Sequence, residues 1–193
     1  MVESIIKTLK FPEKIIAKLD VDKLTLTGPK GSVTKQFKTY RVKLTQEGNK
    51  IIVEGIVDNK QTDILVETIV SHIKNMAEGV MYGYKIELKI VYSHFPMSLQ
   101  IEKGTVNIKN FLGEKFPRKA KILGATKVES KGQDVTITGV SKEEVGQTAS
   151  NLELTTKVRG KDIRRYQDGI YIIANKNMEE NKGKIVEVVR GRE

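Results

Sequence analysis

Nine residues, 157–165, carry five cations, Lys157, Arg159, Lys161, Arg164 and Arg165, against the single acid Asp162. Between Lys103 and Lys121, six more, Lys103, Lys109, Lys115, Arg118, Lys119 and Lys121, are offset only by Glu114. Lysine point charges and arginine forks at this density suit phosphate: they neutralise it and release its counterions. Phe111, Phe116 and Tyr166 interleave with the charges, and such rings could stack on unpaired bases. The competing reading is a solvated charged face with Phe111 and Phe116 in the core. Gly113 and Gly160 lack a Cβ, which suits either close approach of backbone to RNA or a plain turn. Asp168-Gly169 reads as a turn into a strand.

Other chemistry finds little support. Neither Gly-x-Gly-x-x-Gly nor Gly-x4-Gly-Lys-Ser/Thr occurs, so dinucleotide and P-loop phosphate cradles are not indicated. The absence of cysteine removes thiol nucleophiles, disulfides and thiolate-held metals. The two histidines, His72 and His94, have no Glu-x-x-His pattern beside them, and a metal site would need carboxylates supplied by the fold. His72 reads as a hydrogen-bonded, half-buried histidine. Composition leaves a Ser-His-Asp set open, but no nucleophile-elbow motif accompanies one. Adjacent Glu143 and Glu144 fit the first turn of a helix, and Glu179 and Glu180 a solvated tail. No catalytic group, metal, cofactor or small-molecule substrate is expected.

The whole chain agrees with a polyanionic partner. Its 193 residues carry a net charge of +10, and such an excess attracts nucleic acid or an anionic surface. Cut at Pro96, the chain gives +4 (15 basic, 11 acidic) and +6 (19 basic, 13 acidic). No stretch of 18 apolar residues suggests a membrane span, and the first residues do not read as a signal or transit peptide.

The elements that must position these charges repeat. Ile51-Ile52-Val53-Glu54 ends at Gly55, and Val135-Thr136-Ile137-Thr138 ends at Gly139, 84 residues later. Each run leads into a helical segment opened by a capping box, Asp58 with Gln61 and Ser141 with Glu144. The first helix is predicted to bury Leu65, Ile69, His72, Ile73, Met76 and Val80. The second is predicted to bury Val145, Thr148, Ala149, Leu152 and Thr156. Strands are expected at 23–27, 33–37, 40–44 and 84–92, and again at 104–109, 119–123 and 170–174, with a turn at Gly28-Pro29-Lys30-Gly31. This predicts an α+β fold of two similar small domains made by internal duplication, each an antiparallel sheet packed with one main helix. The domains are expected at 1–96 and 97–175, meeting near Pro96–Leu99. The tail 176–193 reads as an extension or one last strand, 185–189.

Four stretches carry a family resemblance: LTLTGPKGSVTKQF at 24–37, SHIKNMAEGVMYGYKIELKIVYSHFP at 71–96, VNIKNFLGEKFPRK at 106–119 and TTKVRGKDIRRYQDGIYI at 155–172. In this order they resemble the eukaryotic and archaeal branch of the universal large-subunit ribosomal protein six family, called protein nine in eukaryotic large subunits. The resemblance implies a non-enzymatic component of the cytoplasmic ribosome. Its partners would be large-subunit rRNA and neighbouring large-subunit proteins. It also implies that the second domain makes much of the RNA contact, near the factor-binding side. Within that domain charge selects Lys109, Lys115, Arg118, Lys119, Lys121, Lys157, Arg159, Lys161, Arg164 and Arg165 as the RNA-binding set.

Overall fold

The computed structural model describes residues 5–37, 40–57, 59–177 and 186–192. The chain divides into two compact units, Met1–Gly83 with Glu179–Glu193, and Tyr84–Met178.

The first unit runs β1 (Ile5–Lys10), β2 (Ile16–Asp20), β3 (Lys23–Gly28), β4 (Gly31–Gln36), β5 (Val42–Glu47), β6 (Lys50–Gly55) and α1 (Lys60–Tyr82). The second runs β7 (Tyr84–Val91), β8 (Ser98–Glu102), β9 (Thr105–Lys109), a single 3-10 turn (Phe111–Gly113), β10 (Arg118–Lys121), β11 (Lys127–Lys131), β12 (Asp134–Gly139), α2 (Lys142–Thr155) and β13 (Gly169–Asn177). A last strand, β14 (Glu187–Arg192), returns to the first unit and pairs antiparallel with β1.

Each unit holds two antiparallel sheets of the same design. In the first, β14-β1-β6-β5 form one sheet and β2-β3-β4 the other; in the second, β13-β7-β12-β11 and β8-β9-β10 take the same places. The duplication is therefore complete, strand for strand. It also reassigns a strand. The alternating run at 84–92 closes nothing in the first unit: β7 lies between β12 and β13 and is the counterpart of β1. The units thus divide at Gly83/Tyr84, and the expected junction near Pro96–Leu99 falls between β7 and β8 inside the second unit. Alternation reports that one face of a strand is buried; which strands it pairs with is decided by partners remote in sequence.

The helices pack where the glycines permit. An added Cβ on Gly139 would lie 2.6 Å from Val145 Cγ2, and one on Gly55 2.9 Å from Thr62 Cγ2. The two glycines that mark the repeat thus let the first turn of each helix approach the end of the preceding strand. The cap of α1 is Asn59, whose side chain accepts from Gln61 N at 3.3 Å; Asp58, expected in that role, lies outside the described residues. Ser141 caps α2 as expected, its Oγ accepting from Glu144 N at 3.4 Å.

In α1 the buried stripe includes Val66, Ile69, Val70, Ile73, Met76, Ala77 and Val80, while Leu65 and His72 flank it half-buried. The buried stripe is thus turned by about one position from the expected one, taking in Val66, Val70 and Ala77. His72 accepts at Nδ1 from Lys35 Nζ, 3.1 Å away. In α2 all of Val145, Thr148, Ala149, Leu152 and Thr156 are buried. Glu143 and Glu144 fall in its first turn, whereas Glu179 and Glu180 lie outside the described residues. No helix among the described residues is long and apolar enough to cross a membrane.

Candidate nucleic-acid interface

The two basic segments, some forty residues apart in sequence, are drawn together in the second unit by α2. This helix packs on β10, and Asn151 on its surface donates to Lys121 O at 3.0 Å. In β10, Ala120 points into the core while Lys119 and Lys121 on either side are exposed, as strand alternation requires. Beside them the chain leaving α2 carries Arg159. The result is a groove of about 420 Å³ whose lining includes Lys119, Lys121, Asn151 and Arg159.

Arg118 is the exception in the cationic set. It forks onto Glu114 through Nε (2.8 Å) and Nη2 (2.6 Å), and its Nη1 donates to Thr155 O (2.8 Å) and Lys157 O (3.4 Å). Its guanidinium also lies 4.2 Å from the ring centre of Phe111, which is 1% exposed. With so many contacts inside the protein, Arg118 ties the β9–β10 loop to the end of α2. The hydrogen bond from Arg118 and then its charge, with a contribution from Lys161, hold the Glu114 carboxyl below its ordinary range against the opposing effect of partial burial.

That loop has an unusual backbone. Asn110, Leu112 and Gly113 all adopt positive φ (59°, 49° and 77°), a region costly for leucine. Buried Phe111 and the Arg118 contacts hold it. Gly113 and Gly160, both at positive φ, have turn conformations that already account for glycine there.

The segment after α2 is anchored at both ends. At its start Thr156 Oγ1 accepts from Ile170 N at 2.9 Å. At its end Asp168, fully buried, accepts at Oδ1 from Ser93 N (3.0 Å) and Ser93 Oγ (2.8 Å). His94 Nδ1 lies 2.9 Å from Ser93 Oγ and 3.7 Å from Asp168 Oδ1. Burial raises the Asp168 carboxyl, but the hydrogen bonds from Ser93 and His94 together with the His94 charge outweigh it and hold the group below its ordinary value. Between the anchors Asp162 folds a turn: its Oδ1 accepts from Arg164 N (2.9 Å) and its carbonyl from Tyr166 N (2.9 Å). Tyr166 is covered on two sides, by the His94 ring at 5.1 Å and Lys161 Nζ at 4.7 Å.

A serine, a histidine and an aspartate do therefore meet, but in the wrong order for nucleophilic catalysis. A triad needs the imidazole between serine and acid. Here the serine hydroxyl sits between the other two and donates its hydrogen bond to the carboxylate. The arrangement is a latch. Asp168, expected only to turn the chain, is its centre, and Ser93 and His94 complete it; neither residue type nor spacing announced them, because the two halves are 75 residues apart. Among the described residues no cluster of three or more histidine, aspartate or glutamate side chains is placed to hold a metal ion.

The rest of the cationic set is open to solvent. Lys109 ends β9, Lys115 sits in the β9–β10 loop, and Lys157, Arg159, Arg164 and Arg165 are exposed on the segment after α2. Lys161 also is exposed and faces Tyr166. Of the acids in the two basic segments, Glu114 is paired with Arg118, and the Asp162 carboxylate accepts from Arg164 N.

The family of ribosomal protein L6 matches the chain twice, over residues 11–83 and 95–169. The chain belongs to the ribosomal protein L6 family. Both copies of the family pattern fall in the repeat described above, one in each unit. Among curated relatives, large ribosomal subunit protein uL6 of Staphylothermus marinus is 46% identical over 172 residues, covering 87% of this chain and 93% of the relative. The uL6 of Methanosarcina mazei is 43% identical over 173 residues, covering 90% and 98%. That of Methanobrevibacter smithii is 42% identical over 166 residues, covering 86% and 93%. These L6-family relatives are named as ribosomal proteins rather than as enzymes.

Proposed function

We propose that this L6-family protein is a structural constituent of the cytoplasmic large ribosomal subunit that binds large-subunit rRNA, mainly through the second unit, near the factor-binding side. The names of its relatives support the assembly, and the groove that collects Lys119, Lys121 and Arg159 from two distant segments supports the RNA-facing surface. Lys109, Lys115, Lys157, Lys161, Arg164 and Arg165 extend that surface. Arg118 serves it indirectly, by fixing the loop. Neighbouring large-subunit proteins complete the set of partners.

The test is a salt titration of binding to protein-free large-subunit rRNA. Each phosphate contact removed lowers the slope of log affinity against log salt by about 0.7–0.9. The double variant Arg164→Ala, Arg165→Ala and the triple variant Lys119→Ala, Lys121→Ala, Arg159→Ala should each bind more weakly with a shallower slope. Their unfolding should be unaltered. An unchanged slope in both variants would remove these residues from the interface. Loss of the protein from large subunits in a high-salt wash would count against the assembly itself.

A further inference from the structure

The rRNA-facing surface proposed above carries exposed apolar residues that charge does not explain, Leu154, Ile163 and Phe116, of which Phe116 alone is aromatic. Phe116 is 84% exposed near the end of the β9–β10 loop, two residues before β10. A phenylalanine on a slack loop would be unremarkable, since scattered apolar residues are common on surfaces. This loop is not slack. Close by, Arg118 grips Glu114 with two nitrogens, stacks on buried Phe111 and bonds two carbonyls at and just past the end of α2. Pro117 fixes φ directly after it. Three positive-φ residues, Asn110, Leu112 and Gly113, bend the chain on the approach, and the Phe95 ring lies where a Gly113 side chain would begin to make contact. The backbone carrying Phe116 is thus held while its ring is left in water.

The other two aromatic candidates are already occupied. Phe111 is core, and Tyr166 is covered by His94 and Lys161. The chain around Phe116 is cationic: exposed Lys115 precedes it, exposed Lys119 comes three residues after it, and the nearby acid Glu114 is paired with Arg118. Lysine is depleted at protein–protein interfaces relative to the rest of the surface, which argues against an apolar pocket on a partner protein. An exposed ring with exposed lysines on either side of it in the chain instead matches a nucleotide, whose base offers a π-face and whose flanking phosphates suit the lysines.

We infer that Phe116 is a stacking platform for one unpaired nucleobase of the RNA. The inference rests on the rRNA-binding reading above and adds a contact that does not depend on charge. Stacking on an aromatic side chain tolerates any base and is insensitive to salt. Its loss should therefore lower affinity equally at every salt concentration.

The chain contains no tryptophan, so Phe116→Trp introduces a single tryptophan, excited selectively over the tyrosines, at the proposed contact. Titrated with protein-free large-subunit rRNA, the full-length Phe116→Trp protein should bind at least as tightly as the parent, and its fluorescence should be quenched along the binding curve. Phe116→Ala should bind roughly tenfold more weakly, with a salt slope parallel to that of the parent. Its urea unfolding should be unchanged, because the ring packs on nothing. Equal affinity of Phe116→Ala and parent, or unquenched Phe116→Trp in the bound state, overturns the inference and favours a protein neighbour for this ring. A parent that fails to bind the rRNA, or whose slope ignores the Lys119, Lys121 and Arg159 changes, instead overturns the rRNA-binding reading, so the two failures are distinguishable.

Discussion

The latch at Asp168 lends itself to a quantitative test. Replacing Asp168 with alanine deletes the two Ser93 hydrogen bonds to a fully buried carboxylate, from N at 3.0 Å and from Oγ at 2.8 Å, along with the His94 backbone interaction. Hydrogen bonds to charged groups are each worth about 1.5–3 kcal/mol, and the donors left behind add to the cost. The expected loss is about 4 kcal/mol, a large share of the 5–15 kcal/mol typical of a folded domain. At a urea dependence of roughly 1.5 kcal/mol/M, the unfolding midpoint of the second unit should fall by about 2–3 M, followed by circular dichroism at pH 7. The pH dependence provides a second check. Because the folded-state carboxyl titrates below its ordinary value, its contribution is complete above about pH 4. It is lost as the pH falls through the lower, folded-state value, because the unfolded chain then binds the proton more readily. Asp168→Asn retains one acceptor oxygen but has nothing to titrate there. The loss of stability between pH 7 and pH 3 should be smaller in that variant than in the parent. An Asp168→Ala midpoint within 0.5 M of the parent, or an Asp168→Asn acid limb superimposable on the parent's, would refute the reasoning.

Two further outcomes follow from packing and from the arginine clamp. Gly139→Ala and Gly55→Ala should each cost about 1–3 kcal/mol by overpacking, and Gly139→Ala should cost more because its Cβ would sit 2.6 rather than 2.9 Å from its neighbour; thermal melts that reverse this order would show the helices yielding. Arg118→Lys keeps the charge but loses the fork and the carbonyl bonds, so the second unit should lose about 2 kcal/mol. In the same variant NMR titration should find the Glu114 carboxyl moved up toward its ordinary range, and an unmoved titration would deny the clamp.

The repeat was legible because a steric demand wrote it. Gly55 and Gly139 are glycines for the same reason, the nearness of a helix, so their spacing survives as a visible 84-residue period. The membership of Tyr84–Val91 was not legible, since a strictly alternating strand fits either unit and only its hydrogen bonds to β12 and β13 decide. β1, β8 and β11 went unread because at least half of their residues are polar, and β2, Ile16–Asp20, because its two apolar residues at the start break the alternation. At the interface, sequence located the charge but not its direction. Arg118 and Lys119 are neighbours of similar chemistry, yet one turns inward to Glu114 and the other faces solvent. That difference depends on the end of α2 lying beside β10, a tertiary fact with no local signature.

The path of the chain through the two repeats has a consequence for how they come into being. β14 supplies the first unit with the strand that β13 supplies to the second, but it does so only after the whole second unit has been traversed. Emerging during synthesis, the first unit must wait with one edge of β1 bare, an open template for any passing strand. The second unit has all of its strands in one continuous stretch and can close its sheets as soon as that stretch is out. The repeat made first is therefore the repeat finished last, and its final ladder is a long-range closure of the kind that slows folding.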